Sequence, residues 1–111
     1  MEYERDIKSG LIDGLVYGLL REGENNGITQ REIENIIEIE QREVRRSIAT
    51  LRESGKVILA SNAGYYLPTN DDKGAAAVRK FIVMMELQAK SRFLSVRSAS
   101  RWLEEYRQEM L

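Results

Sequence analysis

The sequence predicts a mainly α-helical fold that carries one small two-stranded β-hairpin and continues into a long C-terminal helix. Three observations predict it. Apolar residues recur at steps of three and four through most of the chain, which is the helical period. Two short β-branched or aromatic runs, Val57-Ile58-Leu59 and Tyr65-Tyr66-Leu67, flank the turn-forming Ser61-Asn62-Ala63-Gly64. After Asn70 every residue fits a helix and none marks a strand.

Taken in order, the first helix is expected from about Glu4 to Glu22. Ile7, Leu11, Leu15 and Leu19 recur every four residues, and Ile12, Val16 and Leu20 widen that stripe. Gly10, Gly14 and Gly18 share one face at the same spacing. Each costs about 1 kcal/mol against alanine in a helix interior, so together they point to close approach by a neighbouring backbone. The alternative is a helix that begins only near Leu11. Gly23-Glu24-Asn25-Asn26-Gly27 reads as a loop.

Thr29-Gln30-Arg31-Glu32 matches a capping box, with Thr29 as N-cap and Glu32 reaching back to its amide. Ile33, Ile36 and Ile37 then form the apolar face of a short second helix, and Glu38-Ile39-Glu40 makes a turn with Ile39 buried. The third helix is expected from about Gln41 to Ser54, closed by Gly55. Pro68 ends the second strand of the hairpin. Asp71 and Asp72 suit the start of the last helix, where the macrodipole favours anions. Its apolar positions run Val78, Ile82, Met85, Ala89, Val96, Ala99, Leu103, Tyr106 and Met110, with one step of seven that contains Arg92 and Phe93. Unbroken from Lys73 to Gln108 it would be about 50 Å long at ~1.5 Å per residue. Either it breaks near Ser91–Ser95 and folds back, or its stripe packs on a second copy. The second is preferred, with Val78, Ile82, Met85, Val96 and Leu103 as the dimerisation residues. Residues 1–70 thus form one domain, and 71–111 a helical extension that serves dimerisation.

Composition narrows the function. The chain has no cysteine and no histidine, which removes disulfides, thiolate or imidazole metal sites and every histidine-activated nucleophile. Ser47, Ser95, Ser98 and Ser100 have no histidine to activate them, and no phosphate-cradling glycine loop is present. Neither enzymatic activity nor a cofactor or metal is expected. The longest apolar runs are too short to cross a bilayer, and MEYERD carries acids where a signal peptide carries bases. A cytoplasmic protein of a bacterium or a phage-infected cell is expected.

Net charge is −1, which looks wrong for a nucleic-acid binder until it is divided along the chain. Residues 1–40 hold ten acids and four bases, residues 41–70 two acids and five bases, and residues 71–111 six acids and eight bases. Positive charge therefore gathers from the third helix onward, and the sign of a patch matters more than the total. On a helical wheel, Val44, Ile48 and Leu51 define the buried side of that helix. Arg42, Arg46, Ala49 and Glu53 fall nearly opposite, with Arg45 and Arg52 on one flank. Early arginines reach base edges or phosphates when such a helix enters the major groove. Gln41 either reads a base edge or fills the cap region, and Arg52 is expected to cover the core and pair with an acid. In the hairpin, Lys56 and Asn62 are the candidates for phosphate contact, Asn62 being equally a turn residue. One of Tyr65 and Tyr66 should be buried and the other exposed.

A basic helix feeding into a small hairpin is the build of a winged helix-turn-helix, and the segment from Ile28 through Pro68 resembles that of the biotin-repressor N-terminal type. It is also similar to small phage-associated winged-helix proteins. The matching residues are Ile28-Thr29 with Glu32 and Ile33, Val44-Arg45-Arg46 with Ile48, Leu51-Arg52 with Gly55, and Gly64-Tyr65-Tyr66-Leu67 before Pro68. Glu40 stands where a serine or aspartate often caps the third helix. The resemblance implies sequence-specific binding of double-stranded DNA by a homodimer, as a transcriptional regulator or a phage replication or maintenance factor. It implies DNA contact by Gln41, Arg42, Arg45, Arg46, Lys56 and Asn62. No small-molecule effector is expected. A winged-helix protein-interaction module without DNA binding is the alternative.

Overall fold

Residues 2–111 are described by a computed structural model. Four α-helices and a two-stranded antiparallel sheet follow one another among them as α1 (Glu2–Leu19), α2 (Gln30–Ile37), α3 (Gln41–Glu53), β1 (Leu59–Ser61), β2 (Gly64–Tyr66) and α4 (Asp72–Glu109). The expected loop after α1 tightens into a short 3-10 turn at Glu24–Asn26. The chain divides into two compact units, residues up to Val78 and Arg79–Leu111. The first two turns of α4 therefore belong to the first unit, a boundary that falls inside the helix rather than at Asn70.

The core of the first unit lies between α1 and α3, closed by α2 and the residues just before β1. Ile12, Val16 and Leu20 of α1 pack with Ile33 of α2, with Val44, Ile48 and Leu51 of α3, and with Ile58. Burying each such side chain stabilises the fold by about 1.5–3 kcal/mol. The buried side of α3 is as expected, but that of α1 is rotated. Its buried stripe is Ile12, Val16 and Leu20, while Ile7, Leu11 and Leu15 are exposed and Leu19 is only partly covered. Both stripes are apolar, so spacing alone did not rank them; Asp13 and Tyr17 beside the buried stripe decide it, through contacts with α3 and Lys56 described below. Gly10, Gly14 and Gly18 have nothing within 4 Å of an added Cβ, so among the described residues no other element's backbone approaches them. Ile36 of α2 is likewise exposed rather than part of the core face.

Local signals place the helix ends. Thr29 and Glu32 form the full capping box, the Thr29 hydroxyl accepting from the Glu32 N–H at 3.1 Å and Glu32 accepting from the Thr29 N–H at 3.1 Å. Glu38 takes a left-handed conformation, φ 60°, to end α2. Glu40 starts α3 without a side-chain cap. The start of α4 is held by Asp71, whose carboxylate accepts from the Thr69 hydroxyl at 2.6 Å and from the Gly74 N–H at 2.8 Å. Those two bonds, the first above all, hold its pKa below the ordinary carboxylate range. Gly74 is buried with its α-carbon against the Thr69 carbonyl, where any side chain would collide.

The hairpin pairs Leu59 with Tyr66, Ala60 with Tyr65 and Ser61 with Gly64. The strands sit closer to the turn than the apolar runs suggested, leaving Val57 exposed and Ile58 wholly buried ahead of β1. The second strand is also sewn to the α1–α2 connection: Ile28 and Tyr65 exchange both backbone bonds at 2.9 and 2.7 Å, and Leu67 bonds Arg21 and Gly23 at 2.8 and 2.9 Å. Gly64 makes this possible. Its φ is 106°, and a Cβ would stand 2.2 Å from the Ile28 carbonyl oxygen. Tyr66 is buried, its hydroxyl donating to Glu24 at 3.3 Å, and burial first and the Glu24 charge second raise its pKa. Tyr65 is half-buried against the core, so neither tyrosine is fully exposed.

The glycines make opposite predictions. Gly64→Ala should lower stability by about 1–3 kcal/mol from backbone strain, with more from the collision. Gly14→Ala, in open space on a helix, should raise it by about 1 kcal/mol. Thermal unfolding of the two variants checks both signs.

Candidate nucleic-acid interface

The sequence of α3 gives it two chemically distinct sides, and packing determines which side meets solvent. Val44, Ser47, Ile48 and Leu51 are buried. Gln41, Arg42, Arg45, Ala49, Thr50 and Glu53 are exposed. The first turn thus presents Gln41, Arg42 and Arg45 to solvent on a rigid helix. Arg42 has no ion-pair partner among the described residues. Arg45 donates through Nε to Gln30 Oε1 of α2 at 3.3 Å, a bond that fixes its stem and leaves the other guanidinium nitrogens outward.

Arg46 is placed differently from the wheel's expectation. Its Nη2 donates to Asp13 Oδ1 of α1 at 3.1 Å, and its side chain is 37% exposed against 15% for Asp13. The same carboxylate oxygen accepts from the buried Ser47 hydroxyl at 2.6 Å. A wheel treats a helix as if it had one partner; the carboxylate of Asp13 bends the reach of Arg46 back toward α1. This three-residue link is an internal clamp between α1 and α3. Among the described residues no buried side-chain polar atom lacks a partner, and the clamp is part of the reason. Nothing in the spacing of α1 marked Asp13 out, although a carboxylate inside an apolar stripe was the visible signal.

Packing also joins residues the sequence kept apart. Arg5, Lys8 and Ser9 of α1 line a shallow groove with Arg42, Glu43 and Arg46 of α3. With Arg46 paired to Asp13, Arg5, Lys8 and Arg42 still outnumber Glu43 and make its rim electropositive, and two of those three come from the segment whose overall balance is acidic. Sequence reasoning assigned Arg5 and Lys8 no role, because only the packing of α1 on α3 brings them there.

The hairpin candidates are both exposed. Lys56 holds its ammonium 5.0 Å from the centre of the Tyr17 ring, a cation–π contact that fixes the stem near α1. Asn62 sits in the turn, where the positive φ falls on Gly64 and not on the asparagine. The Ser61 hydroxyl accepts from the Ala63 N–H at 3.1 Å and stiffens that turn. Arg52 donates Nε and Nη2 to the Ile58 carbonyl at 3.0 and 2.8 Å, tying the end of α3 to the start of the hairpin. Burial lowers its pKa below the ordinary guanidinium value.

In the second unit, Ile82, Met85, Val96 and Leu103 are exposed, as are Trp102 and Tyr106, whose rings stack at 5.5 Å; Val78, at the end of the first unit, is half-buried. The helix passes through Ser91–Ser95 without a break, so the fold-back alternative does not occur. No helix among the described residues is long and apolar enough to cross a membrane.

Removing the clamp carboxylate leaves the Ser47 hydroxyl buried without its partner. Asp13→Ala should therefore lower stability by about 1–3 kcal/mol, while Arg42→Ala should stay within about 0.5 kcal/mol of the parent, both read by chemical denaturation. Comparison of the chain with protein-family models, with curated proteins and with solved structures found no match in any of the three.

Proposed function

We propose that the chain is a winged helix-turn-helix protein that binds double-stranded DNA sequence-specifically as a homodimer in the cytoplasm, as a transcriptional regulator or a phage replication or maintenance factor. The observation that carries this reading is the outward side of α3: Gln41, Arg42 and Arg45 lie on one exposed turn, above a core that fixes the helix. Arginine's planar fork matches guanine O6 and N7 or a phosphate, and a helix start is where such contacts are made in a major groove. The hairpin supplies the second element, a short wing whose second strand is bonded to Ile28 between α1 and α2. Lys56 and Asn62 are its backbone contacts in this reading. Arg46 acts here as a positioning residue, and Arg5 and Lys8 add phosphate contacts along the groove beside α3.

A second reading, a protein-interaction module without DNA binding, is favoured by the exposed apolar face of α1, where Tyr3, Ile7, Leu11 and Leu15 face solvent. Salt separates the two, because phosphate contacts release counterions and a helix–helix contact does not. Selection from a random duplex library, followed by titration of the enriched duplex, is the test. Affinity should fall steeply between low and moderate salt, and Arg42→Ala with Arg45→Ala should weaken binding by at least about tenfold, at ~1–3 kcal/mol per specific arginine contact. No enriched duplex, or an affinity indifferent to salt and to both substitutions, moves the reading to the interaction module.

A further inference from the structure

No residue from 79 to 111 is buried, yet this helix is rich in large apolar side chains. Helices of this kind take most of their stability from packing an apolar face. Their arrangement is regular. Positions 82, 85, 89, 92, 96, 99, 103, 106 and 110 alternate steps of three and four without interruption, and carry Ile, Met, Ala, Arg, Val, Ala, Leu, Tyr and Met. That is the repeat of a two-helix seam, in which knobs from one helix enter holes of the other. The single polar member is Arg92.

We propose that this seam pairs with the same seam of a second copy, running antiparallel and level at residue 94. The inference rests on the homodimer of the preceding section and adds its orientation and register. Antiparallel seams pair the two kinds of core position with each other, and about residue 94 every position from 82 to 106 finds such a mate. Ile82 meets Tyr106 of the second copy, Met85 meets Leu103, Ala89 meets Ala99, and Arg92 meets Val96. Small faces small in the Ala89 layer, and the larger residues fall in the layers farther from the centre.

Charge selects the same orientation. A parallel pair in register stacks Arg92 on Arg92 in a partly dry seam and gathers Arg79 and Lys80 of both copies at one end. The antiparallel pair places Arg79 and Lys80 at the end that carries Glu104, Glu105 and Glu109 of the second copy. Arg107 at that end is already paired with Glu104 of its own helix at 3.0 Å. Arg92, opposite a valine rather than an arginine, carries its guanidinium past the seam edge on its apolar stem. Leu87 and Leu94 lie on the far side of α4 and this seam leaves them uncovered.

The full chain contains no cysteine, so single cysteines report orientation without interference. Light scattering on the parent should give twice 12.8 kDa. Ile82→Cys and Tyr106→Cys, prepared separately and mixed under mild oxidation, should form disulfide-linked dimers in the mixture and none in either variant alone. Both positions are exposed in the single chain, and helical circular dichroism equal to the parent's verifies their folding. Cross-linking of Ile82→Cys with itself as readily as in the mixture overturns the orientation and leaves the homodimer standing. A dimeric mass with no cross-link in any arm overturns the seam. A monomeric mass overturns both orientation and homodimer, and a mass above two copies overturns the two-stranded pairing.

Discussion

The packing of α1 against α3 fixes which way the side chains of α3 point. Ile12, Val16 and Leu20 meet Val44, Ile48 and Leu51, and the Asp13 carboxylate binds Arg46 and the buried Ser47 hydroxyl from the same helix pair. Apolar burial supplies most of the stabilisation but is non-directional, so it allows α3 to roll. The clamp is directional. A roll of α3 by one position would take Ser47 from Asp13 and leave a buried hydroxyl without a partner, at about 1–3 kcal/mol. With the roll fixed, Gln41 and Arg42 are exposed, and Arg45 is exposed beside its bond to Gln30.

The hairpin depends on the same helix pair. Arg52, at the end of α3, holds the Ile58 carbonyl, and Ile58 enters the core between the helices. From there the chain turns into β1, and β2 returns to bond Ile28, Arg21 and Gly23 in the α1–α2 connection. The hairpin is therefore tied at its base from two directions, while Asn62 at its tip stays exposed. A tip held this way is suited to a repeated contact at a set distance from α3. It also explains the demand for glycine at position 64, where two backbones meet too closely for a side chain.

How far the sequence could be read depended on whether one local pattern decided the outcome. The capping box at Thr29, the span of α3, the glycine after it and the turn at 61–64 are local chemistry and stand as expected. The strands shifted toward their turn because Ile58 is claimed by the core, which no local signal reveals. On α1, two apolar stripes share one helix, and choosing between them needs the position of α3. The same is true of Arg46: its neighbours in sequence put it outward, and only a carboxylate thirty-three residues away turns it aside. Arg5 and Lys8 were invisible for that reason too, since a groove between two helices has no signature in either one. The repeat in α4 was legible except where Arg92 interrupts its apolar members.

In the proposed complex, solvent-facing arginines on the clamped helix α3 are what DNA meets. Titrating the isotope-labelled chain with its selected duplex at fixed salt, and following amide and guanidinium resonances by NMR, tests it most directly. The largest changes are expected at Gln41, Arg42, Arg45 and Asn62, with Ser47 and Ile48 nearly still. Changes confined to Tyr3, Ile7, Leu11 and Leu15 or to α4, with α3 unmoved, would contradict it.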